Sequence, residues 1–173
     1  MLECVINISE GRNHAIIDSL AQSCAGDLLD IHSDPDHNRS VFTLVGVEAP
    51  RALARAAVAT LSLGDHSGVH PRIGVVDVVP FVPLVDSTMH DAQKARDEFA
   101  AWATEELHVP SFLYGTERTL PDIRKNAWTS LFPEVGSKVP HATAGAMCVG
   151  VREPLVAHNL WLENVDLETT RRI

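Results

Sequence analysis

An α+β sandwich is the fold class that this sequence predicts, and three observations support it. A β-branched apolar run at residues 73–84 carries one charge, Asp77, and is typical of a buried strand. Two helices are indicated before it, one capped by Asn13 and one beginning near Pro50. With three shorter apolar segments, these elements follow the order strand, helix, strand, strand, helix, strand. That order is the ferredoxin-like, split βαβ arrangement.

The other elements are assigned in chain order from hydrophobic periodicity and cap signals. Strands are predicted at residues 2–8, 27–32, 41–47, 73–84, 109–114, 146–151 and 154–162. The first helix ends at Gly26 and the second near residue 63. Thr88 with Asp91 resembles a capping box and opens a third helix of about five turns. Residues 118–140 are predicted to be mostly loop with a helical turn near Ile123, and a last helix begins after Asp166.

Composition limits the classes of function. The 173 residues fit one domain, and the formal net charge of −9 argues against nonspecific nucleic-acid binding and against an anionic membrane surface. Three widely spaced cysteines without a CxxC pair argue against a disulfide scaffold and against a thiolate zinc site. No signal peptide or membrane-spanning run is visible, so we expect a cytoplasmic protein.

The stretch before the central strand carries the residues best suited to chemistry. Gly68 is permissive and Pro71 biases His70 towards an extended backbone, so His70 lies on a rigid turn, and Pro80 and Pro83 are expected to limit the strand. An imidazole titrates near neutral pH and suits general acid–base work. The alternative is a structural histidine that only hydrogen-bonds a backbone carbonyl.

His66 and His70 have a spacing seen in metal sites. On a helix this spacing would place both rings on one face, but Gly68 and Pro71 argue against a helix, and no third ligand follows at a recognisable spacing. No metal is expected.

Charged residues near this turn are candidate substrate contacts. Asp77 within an apolar strand must be paired or solvated, and Arg72 or a histidine is the expected partner. Such a pair would orient an acid–base group, and the alternative for Asp77 is an inter-strand salt bridge. Arg39 and Arg72 are suited to bidentate binding of a carboxylate. The loop 136–145 has small residues and two cationisable groups, and suits backbone contacts with a flat ligand.

Several stretches together resemble the glutamate formimidoyltransferases, specifically the N-terminal subdomain of the formiminotransferase domain. They are residues 3–11 (ECVINISEG), 38–46 (NRSVFTLVG), 68–83 (GVHPRIGVVDVVPFVP), 109–115 (VPSFLYG) and 118–124 (RTLPDIR). The resemblance covers nearly the whole chain. It implies a transferase of histidine breakdown that moves a formimino group from N-formimino-L-glutamate to tetrahydrofolate, which is a co-substrate, without a metal.

The resemblance also implies roles for particular residues. The catalytic histidine falls on His70, and Asn7, Glu10, Arg39, His66, Arg72 and Asp77 are the expected substrate contacts. The folate-contacting loop falls on Gly136, Ser137, Lys138, Val139, Pro140, His141, Ala142, Thr143, Ala144 and Gly145.

The family pairs two ferredoxin-like subdomains around a folate groove, and this chain matches one of them. We therefore expect residues 1–173 to form a single N-terminal subdomain that reaches the start of a linking helix. A homodimer or a separate C-terminal subdomain is the expected partner. The missing half, and the departures from the family at His141 and Ala144, support an alternative in which the chain is a noncatalytic folate-binding or interaction module.

Overall fold

The computed structural model describes residues 1–156, 162–170 and 172. Its strands are β1 (Leu2–Ile8), β2 (Leu28–Asp34), β3 (Arg39–Val45), β4 (Val76–Pro83), β5 (Ser111–Tyr114) and β6 (Met147–Val151). Its helices are α1 (His14–Ser23), α2 (Glu48–Thr60), α3 (Met89–Leu107), α4 (Leu120–Asn126) and α5 (Leu167–Thr170), with a 3₁₀ turn at Leu63–Asp65. Among these described residues, no helix has the length and apolar character needed to cross a membrane.

The six strands form one sheet in the order β2-β3-β1-β4-β6-β5. The first four are antiparallel neighbours, with Ile6 opposite Phe42 in the β1–β3 pair, which is the ferredoxin-like order. β6 and β5 extend the sheet in parallel with β4 because α3 and α4 provide the crossovers that parallel strands need. The predicted α+β, ferredoxin-like sandwich is confirmed.

Alternation along the strands separates the two faces of the sheet. Cys4, Ile6 and Ile8 of β1 are fully buried and belong to the main core, together with apolar residues of α1, α2 and α3. The intervening residues of β1, including Val5 and Asn7, are only half-buried. β3 repeats the pattern, so the β1–β3 part of the second face is partly open.

A smaller apolar cluster covers the other end of that second face. It consists of Val78, Phe112, Tyr114, Ile123, Ala146 and Cys148. Neighbouring residues on β6 divide between the clusters, Cys148 in this one and Val149 in the main core, as expected for side chains that alternate across a sheet. Because Ile123 lies on α4, this helix covers β4, β5 and β6 and leaves β1 and β3 uncovered beside it.

Several boundaries differ from the sequence prediction. β4 begins at Val76 rather than at residue 73, and it continues through Pro80 to end at Pro83. Pro80 lies between the paired positions Cys4–Phe81 and Asn7–Val78, in an interval where β1 has no assigned partner in β4. On its other side Pro80 is in register with Gly150 of β6. A residue without an N–H is tolerated where β1 has no partner. The first helix ends at Ser23, ahead of Gly26.

The predicted C-terminal elements have mixed outcomes. Residues 154–156 of the strand predicted at 154–162 are not in a strand, and residues 157–161 lie outside the described part of the chain. The helix after Asp166 is present, and the Asp166 carboxylate accepts a hydrogen bond from the Thr169 N–H at 2.7 Å. The capping box of Thr88 and Asp91 is also formed.

Candidate functional site

His70 is carried by the irregular segment between the 3₁₀ turn and β4. Gly68 packs so closely on the preceding turn that a Cβ atom there would lie 2.4 Å from the backbone oxygen of His37. Only glycine fits that approach. The packing presses the His70 segment against the β2–β3 turn and brings the His70 ring within 5.7 Å of the His37 ring in an edge-to-face contact.

A cavity of about 640 Å³ lies beside this segment, between α4 and the ends of β1, β3 and β4. Its lining residues are Asn7, Arg39, His70, Pro71, Val78, Leu120, Pro121, Arg124 and Lys125. No acidic side chain is among these lining residues, whereas three are cationic. An acidic protein therefore has a locally cationic cavity, which suits an anionic small molecule.

The hydrogen bonding of His70 defines its protonation state. Arg39 Nη1 lies 3.2 Å from His70 Nε2, and because a guanidinium can only donate, Nε2 is the acceptor. The pKa of His70 is lowered from its ordinary value, first by burial and then by the positive charge of Arg39. His70 is thus neutral at neutral pH, with an unprotonated Nε2 at the cavity.

His66 and Arg72 hold the His70 segment in place through hydrogen bonds. His66 Nε2 donates to the carbonyl oxygen of Asn38 at 2.8 Å, which leaves Nδ1 as the acceptor for Arg72 Nη1. Arg72 Nη2 donates to the backbone carbonyl of His70. Both ring nitrogens of His66 are therefore engaged by protein groups. Within the described residues, no group of three or more His, Cys, Asp or Glu side chains could hold a metal ion.

Asn38 links three segments around the site, a role that sequence reasoning missed. Its Oδ1 accepts the N–H of Gly11 at 2.8 Å, and its Nδ2 donates to the carbonyl of Ser67 at 3.0 Å. The residue is 8% exposed and has a positive φ of 49°. Asparagine tolerates this left-handed backbone better than most residues, which is the signal that could have identified it.

Asp77 is paired with Arg124 and not with Arg72 or a histidine, so the expected partner was wrong. Arg124 Nη1 donates to Asp77 Oδ1 at 2.9 Å, and Arg124 Nη2 contacts Oδ2. The Ile73 N–H also donates to Oδ1 at 2.7 Å. The pair joins a strand to helix α4 rather than two strands, and Asp77 does not line the cavity.

Arg124 and Lys125 are cavity residues that the sequence prediction did not include. The signal was available in part, because Thr119 and Asp122 form the capping box that starts α4. A helix there would have placed both cations in its last turn. Which of the 14 basic residues pairs with Asp77 is decided by tertiary packing, since Arg124 is 47 positions away.

Comparison with known proteins adds to this geometry. A sequence model of the family described as "Formiminotransferase domain, N-terminal subdomain" matches residues 1–152. The chain belongs to this family. It is 38% identical over 197 residues to a glutamate formimidoyltransferase of Streptococcus pyogenes serotype M1, and the match covers 100% of this chain and 66% of that protein.

Two further relatives differ in how much of their length this chain covers. A glutamate formimidoyltransferase of Thermoplasma acidophilum is 33% identical over 202 residues, with 100% of this chain and 65% of the relative covered. The formimidoyltransferase-cyclodeaminase of Sus scrofa is 34% identical over 184 residues, with 92% of this chain and 34% of the relative covered. This formiminotransferase subdomain thus spans just under two thirds of the shorter relatives and about one third of the bifunctional one.

The remaining predicted contacts are distributed unevenly in this subdomain. Asn7 and Arg39 line the cavity with His70, whereas His66, Arg72, Asp77 and Glu10 do not. Glu10 Oε1 accepts the N–H groups of Arg12 and Asn13 at 2.8 and 2.9 Å, so one of its oxygens is used in the turn before α1.

The loop 136–145 also lies outside the cavity lining. Its Thr143 carbonyl accepts the Leu63 N–H at 2.8 Å, and Gly145 bridges to Gly74, next to the segment that carries His70. His141 Nδ1 accepts the N–H groups of Thr143 and Ala144, at 3.3 and 3.0 Å. Residues 136–140 are exposed and free of strand or helix.

Proposed function

We propose that this subdomain takes part in transferring a formimino group from N-formimino-L-glutamate to tetrahydrofolate, with His70 as general acid and base. The observation that carries the proposal is the neutral Nε2 of His70 at the wall of a cationic cavity. Membership of the formiminotransferase family supports the reaction class.

The proposed chemistry needs two proton transfers. Tetrahydrofolate attacks the formimino carbon through a ring nitrogen, a new C–N bond forms, and His70 Nε2 accepts the proton of that nitrogen. The C–N bond to glutamate then breaks, and the imidazolium returns the proton to the departing glutamate nitrogen. A single histidine can serve both steps, and such catalysis typically contributes roughly 10²–10⁴-fold.

Binding of the anionic substrates is assigned to the cations of the cavity. Arg39 and Lys125 have no carboxylate within 4.0 Å among the described residues, so their charges are free for substrate carboxylates. Asn7 adds a neutral donor and acceptor. His66 and Arg72 contribute by fixing the backbone of His70 instead of contacting substrate.

A second subdomain is part of the proposal. The half-buried face of β1 and β3 beside the cavity can accept another sheet, either from a second copy of this chain or from a separate C-terminal subdomain. The ten residues of loop 136–145 would reach folate at that junction. A cytoplasmic location and a metal-free reaction complete the proposal.

The test is a transfer assay with N-formimino-L-glutamate and tetrahydrofolate. We expect His70→Ala to lower kcat by roughly 10²–10⁴-fold, because the proton acceptor is lost. His90→Ala is the matched control, since His90 is an exposed histidine of α3 outside the cavity lining, and it should retain wild-type turnover. Full turnover by His70→Ala would refute the assignment.

A noncatalytic folate-binding module remains the second candidate, favoured by the position of loop 136–145 outside the cavity. It predicts tetrahydrofolate binding that is unaltered by His70→Ala and no transfer with or without an added C-terminal subdomain. Fluorescence titration with tetrahydrofolate beside the transfer assay separates the two functions.

A further inference from the structure

The carboxylate of Asp77 is buried and fully engaged. The residue is 1% exposed, yet it accepts the Ile73 N–H and both terminal nitrogens of Arg124. Breaking such a pair by removing one partner leaves an uncompensated buried charge, which proteins tolerate poorly. The arrangement is therefore a fixed unit and offers no oxygen to a substrate.

The two partners of Asp77 belong to different elements beside the cavity. Ile73 lies three residues after His70 and ends the segment that carries it, so the bond to Ile73 anchors that segment to β4. Arg124 lies on α4 and lines the same cavity as His70. One carboxylate thus ties the His70 segment to α4.

The two charges also act on His70 in opposite senses. Its surroundings include Arg39 at Nε2, the ring of His37, and Arg72 at the backbone carbonyl. Beyond these, Arg124 lowers and Asp77 raises the pKa of His70. An unpaired Arg124 would add a further positive charge to a cavity wall that already has two.

We propose that Asp77 and Arg124 are a positioning pair for His70, in which the carboxylate anchors the His70 segment and neutralises the guanidinium on α4. The inference rests on the proposed role of His70. It reassigns Asp77 from a substrate contact to a residue that acts through its two partners.

The experiment is an NMR titration of the His70 ring in the full 173-residue chain and in four variants. Asp77→Asn should lower the titration midpoint, because a negative charge is lost and Arg124 is left uncompensated. Arg124→Gln should raise the midpoint, because Arg124 affects the pKa of His70 more strongly than Asp77 does. Arg124→Lys keeps the charge and should remain close to the wild type.

Glu134→Gln is the matched control. Glu134 also joins an arginine, Arg118, to a backbone amide, that of Leu113 at 2.9 Å, but it lies outside the cavity lining. This variant should lose stability without changing the midpoint. A purely structural role for Asp77 predicts the same behaviour, so the control separates the two explanations.

Two results would overturn the positioning pair. In the first, Asp77→Asn and Arg124→Gln change the His70 midpoint no more than Glu134→Gln does. In the second, Asp77→Asn and Arg124→Gln change the midpoint in the same direction. If Asp77→Asn fails to fold, the two Arg124 variants decide. A His70 midpoint that rises in Arg124→Gln but not in Arg124→Lys supports the pair, and equal midpoints in these two variants refute it. Because the titration requires no turnover, an inactive chain would count against the proposed function alone.

Discussion

Asn38 is the residue whose replacement should reveal most about how the site is held together. Its side chain connects the Gly11 amide to the Ser67 carbonyl, and its backbone has a φ of 49°. We expect Asn38→Ala to lower the free energy of unfolding by three separate effects. They are an unsatisfied buried N–H, a lost hydrogen bond to a more exposed carbonyl, and a left-handed backbone imposed on alanine.

The magnitude follows from the three effects. The unpaired Gly11 N–H costs roughly 1–3 kcal/mol and the lost bond to Ser67 roughly 0.5–1.5 kcal/mol. The left-handed conformation adds about 1 kcal/mol for alanine but almost nothing for glycine. Asn38→Ala should therefore lose about 3–5 kcal/mol, and Asn38→Gly about 1 kcal/mol less than that. Asn38→Asp retains the acceptor for Gly11 and should lose least.

Urea unfolding monitored by circular dichroism measures this series. The expected order of stability loss is alanine, then glycine, then aspartate. A glycine variant that is no more stable than the alanine variant would show that the left-handed backbone carries no cost at this position. A loss below about 1 kcal/mol for alanine would show that the Gly11 amide finds another acceptor.

Three further predictions concern the cavity, the ion pair of Arg96 with Glu117, and the loop 136–145. Arg39→Gln should raise the pKa of His70 towards its ordinary value and so move the acid limb of kcat/KM to higher pH. It should also raise KM for the formimino donor by roughly 10–100-fold. An unchanged acid limb would contradict this prediction. Burial alone would raise the pKa of Glu117, but hydrogen bonds, chiefly from Arg96, lower it to about 2. The stability that Glu117 contributes is complete above pH 4.5 and is lost as pH falls towards 2. Because the Glu117 side chain is 36% exposed, we expect a contribution of only about 1 kcal/mol to the free energy of unfolding. Glu117→Gln should abolish this contribution in acid-unfolding curves. His141→Ala should speed amide exchange in loop 136–145 by roughly five- to tenfold, whereas His141→Asn, which keeps an acceptor for the same backbone N–H groups, should not.

The fold was predictable from the sequence because its signals are local. Alternation in β1 and β3, the capping box at Thr88 and the apolar run of β4, whose one charge is Asp77, each specify an element without reference to distant residues. The error at Pro80 arose because a proline is harmful only where a ladder bond is required, and the pairings of β4 with β1 and β6 decide that.

The candidate site was predictable only in part, for a corresponding reason. The short segment around His70 and the position of Arg39 at the start of β3 can be identified from the sequence, and both line the cavity. The partner of Asp77 cannot, because Arg124 reaches it across the sheet from another layer. The role of Asn38 depends likewise on three segments that are brought together only by folding.

The charges around His70 suit the order of the two proposed proton transfers. Burial and the positive charge of Arg39 lower the pKa of His70 and keep its imidazole neutral, so it can first accept a proton from the attacking nitrogen. Once protonated, it is held unfavourably beside Arg39 and releases the proton readily to the departing nitrogen. Further positive charge would make His70 too weak a base, since a catalytic pKa far below the working pH sacrifices driving force for the first transfer. The neutralisation of Arg124 by Asp77 limits that loss, which is why an apparently structural ion pair belongs to the chemistry of the site.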